Sequence, residues 1–182
     1  MPNNQTNNII QILGKMKDLK RTGWLMKNVS LPESDADHSF GVAMLVLLLA
    51  PTSLNKLKCL EMALIHDLAE IYAGDHTPFD TITKEEKYTK ELKAITQIAD
   101  ELNYPQLIEL FKEYEEKTTP EAIFVKLADK LETVLTSQYY DQNNRSEQKL
   151  GNEFKEYAKK HINVFSEDYL SKIREIINNL PD

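Results

Sequence analysis

Apolar residues recur three and four positions apart along most of this chain, and no long Val/Ile/Thr alternation interrupts them. That spacing is the helical period. Each such stretch therefore carries an apolar stripe that must be buried against a neighbouring element. Only five glycines occur in 182 residues. The fold class that follows is all-α.

Ile9, Ile12, Leu13, Met16 and Leu19 form the first stripe. An irregular segment from about Arg21 to Ala36 follows, after which Asp37 is expected to cap a second helix running towards Ala50 and stopped by Pro51. A third helix is expected from about Asn55 to Ala73, carrying Leu57, Leu60, Leu64, Ile65, Leu68 and Ile71, with Gly74 at its C-terminal end. Gly74 to Ile82 reads as a loop. Thr83 and Glu86 then have capping-box spacing for a charged helix continuing towards Asn103. Pro105 starts a shorter helix to about Lys117. Thr119-Pro120-Glu121 supplies a cap, a first-turn proline and an acid at the positive helix end, opening a long helix to about Tyr140. Asp141 to Ser146 turns the chain before two terminal helices, the last beginning near Ser166. No internal repeat or interdomain linker divides the sequence, so residues 1–182 are expected to form a single domain.

The formal net charge of −7 argues against a nonspecific duplex binder, which needs a basic surface to displace counterions from phosphates. A local basic pocket remains open. The most apolar stretch, Val42 to Ala50, is far short of the roughly 20 residues needed to cross a bilayer, so no membrane span is expected. Pro2 to Asn8 is polar and lacks the basic region and apolar run of a secretory signal. The single cysteine, Cys59, cannot form an internal disulfide, which is compatible with a reducing compartment, and its apolar helix favours a core position. A cytoplasmic location is the expectation.

His66 and Asp67 lie between Ala63-Leu64-Ile65 and Leu68-Ala69, in the most apolar long helix. An ionised carboxylate in such surroundings costs several kcal/mol unless it is paired or coordinated. His38 stands at the start of the second helix, and Asp129 interrupts the apolar run from Ile123 to Leu135. Two imidazoles and two carboxylates suit one divalent ion such as Mn, Co, Fe, Ni or Zn and leave positions open for water and phosphate. Each of the four, taken alone, reads more readily as a hydrogen-bonded structural residue, and it is the adjacent pair and the full set that point to a metal. Glu70 falls four residues after His66 and three after Asp67, on their common helical side, where it reaches a metal-bound water or serves as a salt-bridged glutamate. Asp75, in Gly74-Asp75-His76-Thr77-Pro78, is either part of the same site or a turn former. His76 is close to the proposed site, whereas His161 sits in a lysine-rich helix and reads as a surface residue.

The ordered set His38, His66-Asp67 and Asp129 resembles the HD-domain superfamily of metal-dependent phosphohydrolases, whose ligands come from separate helices in this chain order. Leu19-Lys20-Arg21-Thr22-Gly23-Trp24, Pro32-Glu33-Ser34, Asp37-His38, Ala63 to Glu70, Gly74-Asp75 and Lys84-Glu85-Glu86-Lys87 look like its 5'-deoxynucleotidase branch, over roughly residues 13 to 140. The resemblance implies an HD-type helical bundle with the metal site in its core. His38, His66, Asp67 and Asp129 would be the ligands, and Glu70 and Asp75 would position water and transfer protons. It also implies a homodimer that removes phosphate from deoxynucleoside 5'-monophosphates. Some bacterial members place an arginine directly before a tryptophan, but here Thr22-Gly23 separates Arg21 from Trp24. Arg21 is thus either a phosphate contact or a helix-end arginine, and Trp24 either packs on sugar or base or belongs to the core. Another nucleotide or phosphorylated metabolite as substrate, and a non-catalytic nucleotide-sensing domain, are the alternatives.

Overall fold

The chain runs, in the computed structural model, through α1 (Asn4–Asp18), α2 (Thr22–Met26), α3 (Asp35–Leu49), α4 (Lys56–Ile65), α5 (Glu70–Ala73), α6 (Lys84–Leu102), α7 (Gln106–Glu116), α8 (Pro120–Gln142), α9 (Gly151–Ile162), a 3-10 turn (Asp168–Leu170) and α10 (Ser171–Asn179). The structure describes residues 4–76, 81–165 and 167–181. Among them the only β pairing is an isolated bridge between Lys20 and Ser34. The fold is all-α, as the apolar period requires.

Helix α8 is the axis of the main core. Phe124, Val125, Ala128, Leu131 and Val134 are buried along it, and α3, α4, α7, α9 and α10 pack around it. A second cluster joins Ile12 and Met16 of α1 to Ile95 and Ile98 of α6 and to Leu107 and Phe111 of α7. Leu68 and Ala69, beside the His66-Asp67 pair, belong to this second cluster, while Ala63 belongs to the first. The polar pair thus lies where the two cores meet.

Several boundaries matched the sequence signals. Thr83 and Glu86 form the expected capping box of α6, Thr119 caps α8, and Asn103 and Lys117 end their helices in the left-handed conformation. Two did not. Asp37 was expected to cap the second helix, but Ser34 does so. Ser34 is extended and its hydroxyl accepts from the Asp37 N–H, while the Asp37 carboxylate accepts from the Ser34 N–H, a reciprocal box that starts the helix at Asp35. The expected continuous helix from Asn55 to Ala73 is divided between α4 and α5. The His66 ring takes the Ala63 carbonyl, the acceptor that a continuing α-helix would give to the Asp67 N–H. The backbone tightens there, with Leu68 N–H donating to Ile65 and Glu70 N–H to Asp67.

The segment expected to be irregular contains the short helix α2, and a 3-10 turn precedes α10. The expected helix start at Ser166, and Thr77 and Pro78 of the loop, lie outside the described residues. From Phe40 onwards helix α3 is apolar on every side. Val42 and Val46 enter the core, yet Phe40, Met44, Leu47 and Leu48 face outward. Among the described residues, no helix is long and apolar enough to cross a membrane.

Candidate metal centre

The Ser34 box places His38 in the first turn of α3, the tight turn after α4 carries His66 and Asp67, and Asp129 projects from the middle of α8. These side chains converge. His38 Nε2 lies 3.3 Å from Asp129 Oδ1 and 3.8 Å from Asp67 Oδ2, and His66 Nε2 lies 3.2 Å from Asp67 Oδ2. His38, His66 and Asp129, all buried, offer ligand atoms within 4.8 Å of one another.

The protonation pattern of the two rings tests whether a cation fits. His38 Nδ1 is 2.6 Å from Glu132 Oε2, and His66 Nδ1 is 2.8 Å from the Ala63 carbonyl. Carbonyl and carboxylate oxygens only accept, so each Nδ1 donates, and a neutral ring then presents a lone pair at Nε2. Both Nε2 atoms are buried without a hydrogen-bond partner, and they face carboxylate oxygens. Acceptors turned towards acceptors require either a proton on the ring or a cation between them. A divalent ion fits this donor set of imidazole nitrogens and carboxylate oxygens.

The carboxylates are held ionised to match. Burial would raise Asp129, but Lys130 at 3.2 Å, His38 and Lys126 hold it well below the usual carboxylate range. The Tyr114 hydroxyl donates to its Oδ2 at 3.3 Å, and Oδ1 is the oxygen nearest His38. Burial opposes the charge on Asp67 as well, and His66 and Arg21 hold that carboxyl low. For His38, burial and the Arg21 charge disfavour a proton, yet Asp129 and Glu132 hold the imidazole up at about 10. The pocket favours a positive charge at this position.

A carboxylate group extends from the ligand set. Asp35, Asp67 and Glu70 bring oxygens within 4.8 Å of one another. Burial first, then the Asp67 charge, pushes Asp35 up to about 7, and burial with Asp67 and Asp75 pushes Glu70 well above its ordinary value. Glu70 Oε2 is buried without a hydrogen-bond partner, while its Oε1 lies 3.9 Å from Lys87 Nζ of α6. Arg21 offsets part of this negative charge. Its Nη1 is 2.5 Å from Asp67 Oδ2 and 3.9 Å from Asp35 Oδ1. Asp75 is pinned to the start of α2, its Oδ2 accepting from the Thr22 N–H at 2.5 Å and its carbonyl from the Thr22 hydroxyl at 3.2 Å.

His38, His66, Asp67, Glu70, Arg21 and Asp129 therefore share one neighbourhood, with Asp75 near enough for its charge to act on Glu70. Trp24 departs from the ligand-contact reading. It is 2% exposed, edge-on to Tyr140 and against Phe154, with its indole N–H donating to Glu33 at 2.7 Å. Both its surface and its donor are already used by the core. His161 lies apart, bonded to the Tyr157 carbonyl of its own helix. Cys59 is buried, and burial pushes its thiol up to about 12.

Sequence reasoning missed Glu132 and Asp35. Glu132 carried a usable signal, standing one turn after Asp129 in the same apolar run, where a lone carboxylate needs a partner. Asp35 carried none. Its burial follows from the helix beginning at Asp35 under the Ser34 cap, a boundary placed too late from the sequence.

The HD domain family pattern matches residues 13–170. The chain is 41% identical over 140 residues to 5'-deoxynucleotidase HDDC2 of Mus musculus, covering 75% of this chain and 70% of that protein. It is 43% identical over 142 residues to 5'-deoxynucleotidase HDDC2 of Dictyostelium discoideum, covering 72% and 75% respectively. Among solved structures, a conserved hypothetical protein from Pyrococcus furiosus superposes with a TM-score of 0.76 at 33% identity, over 94% of this chain and 98% of that one.

Proposed function

The chain belongs to the HD domain family, and from that membership we propose that it is a metal-dependent phosphomonoesterase converting deoxynucleoside 5'-monophosphates to deoxynucleosides and phosphate. The observation that carries this reading is the pair of buried imidazole Nε2 atoms facing carboxylates, in a chain about 40% identical to proteins named 5'-deoxynucleotidases. His38, His66, Asp67 and Asp129 would hold one divalent ion, of Mn, Co, Fe, Ni or Zn. When bound, such an ion polarises a phosphoryl oxygen and lowers the pKa of water.

The remaining steps fall to the chain's own side chains. Glu70, buried beside Asp67 with its Oε2 free of any hydrogen-bond partner, accepts the proton of the attacking water when it is ionised. Asp75, fixed by Thr22, takes a proton from solvent and passes it to the leaving 5'-oxygen. Arg21 and Lys87 bring positive charge to the side of the site where an anionic phosphate must approach. Trp24 has no part in this scheme.

Phosphate release from a matched panel of ribo- and deoxyribonucleoside mono-, di- and triphosphates, with each metal restored to chelator-treated protein, tests the proposal. Metal-dependent turnover of the deoxynucleoside 5'-monophosphates is expected. Equal release without metal, or none from any monophosphate, overturns it. We further propose a cytoplasmic homodimer, supported by the outward apolar face of α3 at Phe40, Met44, Leu47 and Leu48. Sedimentation should give twice the chain mass, and a monomer at micromolar concentration would refute the dimer.

A further inference from the structure

We infer that Glu132 is a positioning residue that fixes the orientation and proton placement of His38 and thereby sets how tightly the site holds its ion. The inference rests on the reading of His38 as a ligand. Glu132 stands one helical turn after Asp129 on α8, so a single helix supplies one carboxylate to the ion-facing side of His38 and another to its far side. Its Oε2 is 2.6 Å from His38 Nδ1, and its Oε1 accepts from the Thr136 hydroxyl at 2.8 Å. Both oxygens are engaged, and the residue is buried.

The neighbouring backbone leaves room for this carboxylate. Gly41 lies one turn after His38 on α3, and a Cβ at that position would stand 2.7 Å from Glu132 Oε1 and 2.8 Å from its Cγ. No other residue can occupy position 41 without displacing Glu132. Glu33 lies 3.8 Å from the same Nδ1, but its Oε1 already accepts from the Trp24 indole N–H. Glu132 is therefore the direct partner of the ring.

The two histidines are supported differently. His66 donates to a neutral carbonyl, whereas His38 donates to a charged carboxylate buried with it. An anionic partner makes the imidazole a stronger electron donor and holds the ring against rotation. A buried carboxylate is unfavourable unless a positive charge offsets it. An ion at His38 Nε2, on the far side of the ring, supplies that offset through the imidazole.

The test measures the Mn2+ dissociation constant by chelator competition on the full chain, with the thermal midpoint of each metal-free protein determined in parallel. Glu132→Gln keeps the shape and removes the charge. It should weaken Mn2+ binding roughly 10- to 100-fold without a matching fall in the metal-free midpoint. Gly41→Ala leaves the carboxylate in the chain but pushes it aside, and should weaken binding in the same direction. It carries the test if Glu132→Gln does not fold. In Zn2+-loaded wild type, a strongly downfield His38 Nδ1–H resonance should appear and should move upfield in Glu132→Gln. Wild-type affinity in both variants overturns the inference while leaving the ligand reading intact. A wild-type chain that binds no Mn2+, Co2+ or Zn2+ overturns the ligand reading itself.

Discussion

An imidazole whose Nδ1 is committed to a buried acceptor has only its Nε2 left to use, and at His38 and His66 that atom points into a carboxylate cluster. Asp129 and Glu70 occupy this cluster in different ways. Asp129 is held ionised by Lys130 and His38, whereas Glu70 is pushed towards its protonated form by burial and by Asp67 and Asp75. An oxygen held ionised suits coordination, and a carboxyl whose charge is set by its neighbours suits proton transfer. Asp129→Asn should therefore weaken metal retention, with activity partly restored by excess metal. Glu70→Gln should retain metal while turnover falls about 100-fold or more. Metal content and phosphate release, measured on both folded variants, separate the two roles. Wild-type turnover in Glu70→Gln would remove that residue from the chemistry.

The elements show why some of this was legible in the sequence. His66 and Asp67 announced themselves because charged and polar groups in an apolar run require partners, and that inference needs only local sequence. The α6 capping box, the Thr119 cap of α8 and the αL ends of α6 and α7 are likewise local, so those boundaries could be read. The division between α4 and α5 could not, because it depends on the His66 ring claiming a carbonyl three residues back. Trp24 was undecidable from sequence because its burial depends on Tyr140 and Phe154, which are remote in the chain. The Ser34 cap is the element that places both Asp35 and His38. Replacing Ser34 by Ala should cost about 1 kcal/mol of stability, measurable by denaturant unfolding of the metal-free chain. An unchanged midpoint would show that the box contributes nothing to α3.

At the scale of the whole molecule, the proposed ligands come from α3, the turn after α4, and α8, and they meet only because α4 and α8 pack against α3 and each other. In an unfolded chain these groups are far apart, so an ion has no assembled site to join. Order of assembly follows from this arrangement: the helices dock first and the ion arrives afterwards. Mn2+ at a hundred times its dissociation constant should then add about 2.7 kcal/mol to stability, expressed almost wholly as unfolding slowed by about 100-fold. The refolding rate should be the same with and without the ion. Stopped-flow unfolding and refolding in Mn2+ and in chelator would reveal this asymmetry, and refolding accelerated by Mn2+ would instead place the closed site before the folding barrier. A cation bound this way acts as a latch on the finished structure, governing how long it lasts and not how quickly it forms.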